Sequence, residues 1–120
     1  MYGGCGADCG YGTFYDNNLT SVTIPKSVEY IGEDAFSSNK LASVNFESNS
    51  KLKYIGTSAF RENQLTNTGL GKLPSSLTSL ATDAFSNNPS LTQITLTSPT
   101  DIEGWTNGST VDGKTVIYER

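Results

Sequence analysis

Apolar residues in this chain recur in fixed groups separated by polar stretches. The group Leu19-x-x-Val22-x-Ile24 reappears as Leu41/Val44/Phe46, as Leu65/Thr68/Leu70 and as Leu91/Ile94/Leu96. Its last two apolar positions alternate with polar ones, the period-two signature of a half-buried strand. A second group follows each of the first three: Val28/Ile31/Gly32/Ala35/Phe36, Leu52/Ile55/Gly56/Ala59/Phe60 and Leu77/Leu80/Ala81/Ala84/Phe85. Spacings of three and four predict a short extended piece followed by one helical or 3₁₀ turn, far short of the roughly 12 residues a self-standing helix needs. The Leu openings lie 22, 24 and 26 residues apart, and Phe14, Phe36, Phe60 and Phe85 lie 22, 24 and 25 apart. Such a period signals a solenoid, in which each coil buries its apolar side only against its neighbours.

The expected architecture is mainly β with short helical turns, and successive first groups stack as a parallel sheet on one face. Thr68, Gly69 and Gly71 make the third strand the weakest. Gly32 and Gly56 are expected where the chain changes direction, with Ala81 in their place in the third coil. Phe14, Phe36, Phe60 and Phe85 form the expected ring ladder between coils, and the alanine before Phe36, Phe60 and Phe85 lets the next coil approach. Asn17, Asn39, Asn63 and Asn88 follow those rings by three residues, and their amides are expected to satisfy buried backbone groups as a second structural ladder.

Residues 1–18 read as an incomplete N-terminal repeat or cap, with Cys9 in the slot of Ile31 and Gly6 in that of Val28. The repeats occupy residues 19–96, divided as 19–40, 41–64 and 65–90 with a fourth start at 91. Residues 97–120 lose the pattern, although Ile102 fits the Val28 slot. Asp112-Gly113 before a β-branched run predicts a hairpin, and with Trp105 it forms the expected C-terminal cap.

The ordered string Leu19-Thr-Ser-Val-Thr-Ile-Pro25, Ser27-Val28, Ile31-Gly32 and Ala35-Phe36 resembles the BspA-type leucine-rich repeat of bacterial surface proteins, and the likeness runs from about Cys9 to Leu96. The resemblance implies a right-handed leucine-rich-repeat solenoid carried on large secreted or wall-attached proteins. It also implies adhesion to host proteins or other cells, and an extracellular or cell-surface location. A chain beginning partway through a repeat reads as an excised segment whose export signal and anchor lie outside it.

Composition narrows the chemistry. A net charge of −4, from eight basic and twelve acidic residues, argues against nucleic acid and against anionic membrane surfaces as partners. No run approaches the roughly 20 apolar residues of a membrane helix, which argues against insertion. No histidine is present, so the usual Ser or Cys nucleophile arrangements lack their base. The pairs Lys26-Ser27 and Ser50-Lys51, and the carboxylates Glu33-Asp34 and Asp101/Glu103, read as solvated turn residues. Asp8, Asp16 and Asn17 lack the spacing of a calcium loop, and neither cofactor nor metal is expected. Asn18-Leu19-Thr20 and Asn107-Gly108-Ser109 fit the short N-glycosylation pattern, which also arises by chance. Cys5 and Cys9 are compatible with a local disulfide, with metal binding or with plain thiols.

What remains is a protein-binding surface, with a passive spacer that displays other domains and an accessory carbohydrate-binding module as the alternatives. The outward positions Ser21, Thr23, Ser43, Asn45, Asn67, Gln93 and Thr95 would form a polar, nearly uncharged face for an extracellular or host protein. Tyr30 and Tyr54, one repeat apart, are expected to shield the turn by stacking on each other. Open solenoid ends are strand edges, so end-to-end self-association is a further expectation.

Overall fold

Two kinds of short strand alternate along the chain, as the two apolar groups predict. In chain order the elements are β1 (Asp8–Cys9), β2 (Ser21–Ile24), β3 (Tyr30–Ile31), β4 (Ser43–Phe46), β5 (Tyr54–Ile55), α1 (Asn67–Leu70), β6 (Ser79–Leu80), β7 (Gln93–Leu96), β8 (Thr110–Val111) and β9 (Lys114–Tyr118). They come from a computed structural model that describes residues 8–120, so Cys5 and Gly6 lie outside the described residues. The result is a β-solenoid of stacked coils. Strands β1, β3, β5 and β6 form a four-stranded sheet whose pairs are all parallel. Cys9, Ile31, Ile55 and Leu80 share one register column in that sheet, all of them buried. Cys9 thus takes the isoleucine slot, and it is disulfide-bonded.

Between the sheets the aromatic side chains make a continuous column. Ring centroids of Phe14 and Phe36 lie 5.2 Å apart, those of Phe36 and Phe60 5.2 Å, and those of Phe60 and Phe85 5.5 Å. The interplanar angles are 12°, 3° and 7°, so the rings stack like plates. Phe36, Phe60 and Phe85 are buried, while Phe14, the last ring of the column among the described residues, is half-buried. The small Ala35, Ala59 and Ala84 beside them are buried too, which lets adjacent coils approach.

Beside the rings the asparagine amides bind coil to coil. Asn63 Nδ2 donates to the carbonyls of Phe36 and Phe60, both at 3.0 Å, while its Oδ1 accepts from Leu41 N at 3.0 Å. Asn88 repeats the arrangement with Phe60 O, Phe85 O and Leu65 N. Asn39 does so with Phe14 O and Phe36 O, and its Oδ1 takes both Asn17 N and Leu19 N. Asn17 differs from the other three. It is exposed, and its own side chain donates only to Tyr15 O, because the end coil has no preceding coil to bridge among the described residues.

Around each ring the backbone alternates in handedness. Left-handed residues stand two before the ring (Gly12, Asp34, Ser58) and two after it (Asp16, Ser38, Glu62, Asn87). This alternation aims every second N–H at the next coil. Phe14, Phe36 and Phe60 donate to the carbonyls of Ala35, Ala59 and Ala84 at 2.7–2.8 Å. Most of these residues are not glycine, so the conformation costs roughly 1 kcal/mol at each, offset by the hydrogen bonds it aligns.

Gly32 and Gly56 each stand between a strand and the turn that follows it, where the change of direction is expected. Neither has a positive φ; they are glycines because the preceding coil lies too close for a side chain. A Cβ on Gly32 would stand 2.8 Å from the carbonyl carbon of Gly10, and one on Gly56 would stand 3.1 Å from Glu33 N.

The third coil departs from the expected strand altogether. Leu65 to Leu70 does not pair with a neighbour; residues 67–70 wind into α1 instead. Thr66 caps the turn, its Oγ1 accepting from Gly69 N at 2.9 Å. Thr68, expected to point inward, is exposed. The cause is an insertion of three residues: Leu73-Pro74 is the true counterpart of Ile24-Pro25, and Ser76-Leu77 follows as Ser27-Val28 does. Leu73 is fully buried, and Lys72 bridges in parallel to Thr95 of β7. Gly69 is required here, since a Cβ would fall 2.0 Å from Ala42 O.

At the far end β8 and β9 form the expected hairpin, with both turn residues, Asp112 (φ 50°) and Gly113 (φ 77°), left-handed. β9 also pairs in parallel with β7, Ile94 opposite Val116, so the tail supplies one more rung of the first sheet type. Trp105 is buried beneath it, and its Nε1 donates to Leu80 O at 2.8 Å. The indole thereby satisfies a carbonyl on the edge strand β6.

Candidate interaction surface

Side chains that alternate out of a strand are placed by register. On β2 and β4, Ser21 lies opposite Ser43 and Thr23 opposite Asn45, while Val22, Ile24 and Val44 point into the core. On β7, Gln93 and Thr95 stand out, and Gln93 Nε2 donates to Thr95 Oγ1 at 3.2 Å. The structure therefore brings the sequence-predicted residues together as two groups, Ser21/Thr23/Ser43/Asn45 and Gln93/Thr95. Asn67, which the sequence places on a third outward strand, is instead the first residue of α1.

Asn67 makes up for the strand it replaces. Its Oδ1 accepts from Thr92 N at 2.9 Å and Gln93 N at 3.2 Å, and its Nδ2 donates to Thr92 Oγ1. These are groups that α1, with its own internal hydrogen bonds, cannot serve from its backbone. On the other side no such substitute exists. β4 is an edge strand, paired to β2 only, and its far edge makes no backbone hydrogen bond to α1.

A recess of about 370 Å³ opens there, lined by β4 and by residues 68–72. A second of about 320 Å³ adjoins it, between the Phe46–Ser50 turn and Lys72–Ser75. Phe46 lines both. Its counterparts Ile24, Leu73 and Leu96 are fully buried, yet Phe46 is only partly covered. Lys72 at the rim pairs with Glu119 at 2.9 Å, and Glu47 accepts from Lys26 N at 2.8 Å.

Sequence reasoning missed Phe46, Lys72, Thr115 and Ile117 on this face. The alternation in Lys114–Tyr118 was the available signal for the last two. The register slip at Leu73 hid Lys72.

Other candidates sit apart from this face. Tyr30 and Tyr54 are exposed register neighbours, but their rings are tilted by 53° at 6.3 Å rather than stacked. Ser50 Oγ accepts from Leu52 N, and Asp101 pairs with Arg120. Among the described residues no three His, Cys, Asp or Glu side chains cluster to hold a metal. No described helix is long and apolar enough to cross a membrane.

The model of the BspA-type leucine-rich repeat region matches residues 8–108, in six copies. The chain belongs to that family. BspA-type repeats are generally found in bacterial surface or secreted proteins, typically as non-catalytic modules that mediate protein interactions. No curated protein and no solved structure matches the chain.

Proposed function

We propose that this BspA-type module is a non-catalytic, adhesin-like binding domain displayed on a bacterial surface or secreted, with its strand face as the contact surface. The observation that carries this reading is the gap in the strand face at the third coil. It leaves the far edge of β4 without a strand partner and a recess between that edge and α1, beside the partly covered Phe46 and within a polar field of Ser21, Thr23, Ser43 and Asn45. Such a recess favours an extracellular protein that offers an apolar side chain. Affinity for one module is expected to be weak and to rise when copies act in series. End-to-end association of copies through β1, the end strand of its sheet among the described residues, is part of the same reading.

The test is surface plasmon resonance of the chain over a panel of extracellular host proteins, with Thr23→Arg/Asn45→Arg as the control variant. Weak binding lost in the variant supports the reading; failure of the chain to bind any member counts against it. A second reading, a passive spacer, is favoured by the outward strand residues themselves, which include no Trp, Tyr or Arg of the kind that anchors tight interfaces. It expects a larger parent protein to keep its binding when these coils are exchanged for an unrelated rod.

A further inference from the structure

The first coil carries a feature that none of the others repeats. Gly12, Asp34, Ser58 and Asp83 occupy one slot, two residues before each ring of the phenylalanine column. At Gly12 the left-handed backbone (φ 59°) is met by a residue with no side chain, which leaves a vacancy on the outside of the coil. Tyr11 and Tyr15 flank it, 75% and 55% exposed, and Asp34 borders it from the next coil. Together with Gly12 they line a recess of about 460 Å³. The corresponding flanking residues elsewhere are Glu33 and Ser37, Thr57 and Arg61, and Thr82 and Ser86, so only this coil presents aromatic rings there.

The carboxylate in that recess has no internal task. Asp83, its equivalent two coils on, accepts from Ser58 N at 3.3 Å and so helps to hold the stack. The amide that would make the same demand on Asp34 belongs to Gly12, and it donates instead to Glu33 O at 2.9 Å. Asp34 therefore has a side chain with neither a hydrogen bond nor an ion pair among the described residues. Asp16 and Glu33, in no ion pair either, border the same coil.

We infer that Tyr11, Tyr15 and Asp34 form a recognition site for a cationic side chain, a lysine ammonium or arginine guanidinium on a partner polypeptide. Tyrosine ring faces attract cations through their quadrupole, and a carboxylate without a partner supplies the complementary charge. Arginine can use both at once, stacking its plane on a ring while its fork meets the carboxylate. An anionic ligand would meet three carboxylates and no basic partner on this coil. The site is on the turn ridge, separate from the strand face, and does not depend on the reading given for that face.

The test is titration of the full chain with an arginine- and lysine-rich nonapeptide at low salt, read by calorimetry and by the ring-proton shifts of Tyr11 and Tyr15. The double variant Tyr11→Ala/Tyr15→Ala should weaken binding about tenfold and Asp34→Asn about fivefold, whereas Tyr11→Phe, which keeps the ring face, should bind within about twofold of the parent. All these residues are exposed or at the rim, so circular dichroism should be unchanged. Loss in Asp34→Asn no greater than in Glu103→Gln, which removes a charge elsewhere, would show diffuse attraction and overturn the assignment. So would unchanged binding by the double variant, absence of binding by the parent, or equal binding of a neutral oligosaccharide at the same tyrosines.

Discussion

The two sides of each coil obey different rules. On the ring side the phenylalanine and the asparagine three residues on recur in all four coils, the alanine before the ring in three, and a left-handed residue two after the ring in all four. On the strand side the lengths vary, with two residues added after Phe46 and three after Leu65, and one rung is replaced by α1. The difference follows from what each side must satisfy. A ring stacked at 5.2–5.5 Å and an amide shared between two coils tolerate no change of register. An outward strand face loses one ladder segment and can recover part of it with a single side chain, as Asn67 does. Stability should therefore concentrate on the ring side, leaving the strand side free to vary.

Substitutions that sharpen this contrast can be ranked by size. Phe60→Ala removes the central ring of the column and should cost about 3–5 kcal/mol in urea denaturation, enough to unfold a marginal domain. Asn63→Ala strands buried carbonyls and an amide; a loss of about 1–3 kcal/mol is expected, against less than about 0.5 kcal/mol for the exposed Asn17→Ala. On the strand side Gly69→Ala would place a methyl against Ala42 O, and a loss of about 1–3 kcal/mol should be confined to a rearrangement of α1. Glu62→Gly relieves a left-handed non-glycine residue and should raise stability by about 0.5–1 kcal/mol.

The smallest effect concerns the cap. Asp112 has its pKa lowered chiefly by the hydrogen bond from Ser86, and then by the ammonium of Lys114, with burial opposing. A depressed carboxylate contributes stability that is present above its unfolded pKa and disappears as pH falls through the folded one. The hairpin should therefore loosen only below the ordinary aspartate range, near pH 4, with Asp112→Asn removing that acid step from the melting profile.

Much of this division was legible in the sequence because strict spacing leaves a strict signature. The ring column and the amides of Asn39, Asn63 and Asn88 follow directly from Phe and Asn recurring together. The third coil departs from its sequence pattern for the converse reason: an apolar residue, Leu70, happens to stand where Ile24 would fall, and it is buried, but in a helical turn. Leu73-Pro74-Ser75-Ser76-Leu77 set against Ile24-Pro25-Lys26-Ser27-Val28 would have revealed the slip. The left-handed positions were invisible, since Ser58 and Glu62 carry no mark of that conformation. Of the candidate surface, the outward strand residues could be read from alternation. The open edge of β4 could not, because it results from what a neighbouring coil fails to supply. The Tyr11–Asp34 recess depends on a glycine vacancy meeting a carboxylate one coil away, a relation that appears only once the coils are stacked.

Amide hydrogen exchange at Leu41 and Leu65 bears most directly on these two rules, because both N–H groups donate to side chains of the next coil, those of Asn63 and Asn88. If the amide column holds the solenoid together, both N–H groups exchange only through global unfolding, as slowly as the amides of Phe36 and Phe60. Exchange at those two sites as fast as at the open edge of β4 would contradict it.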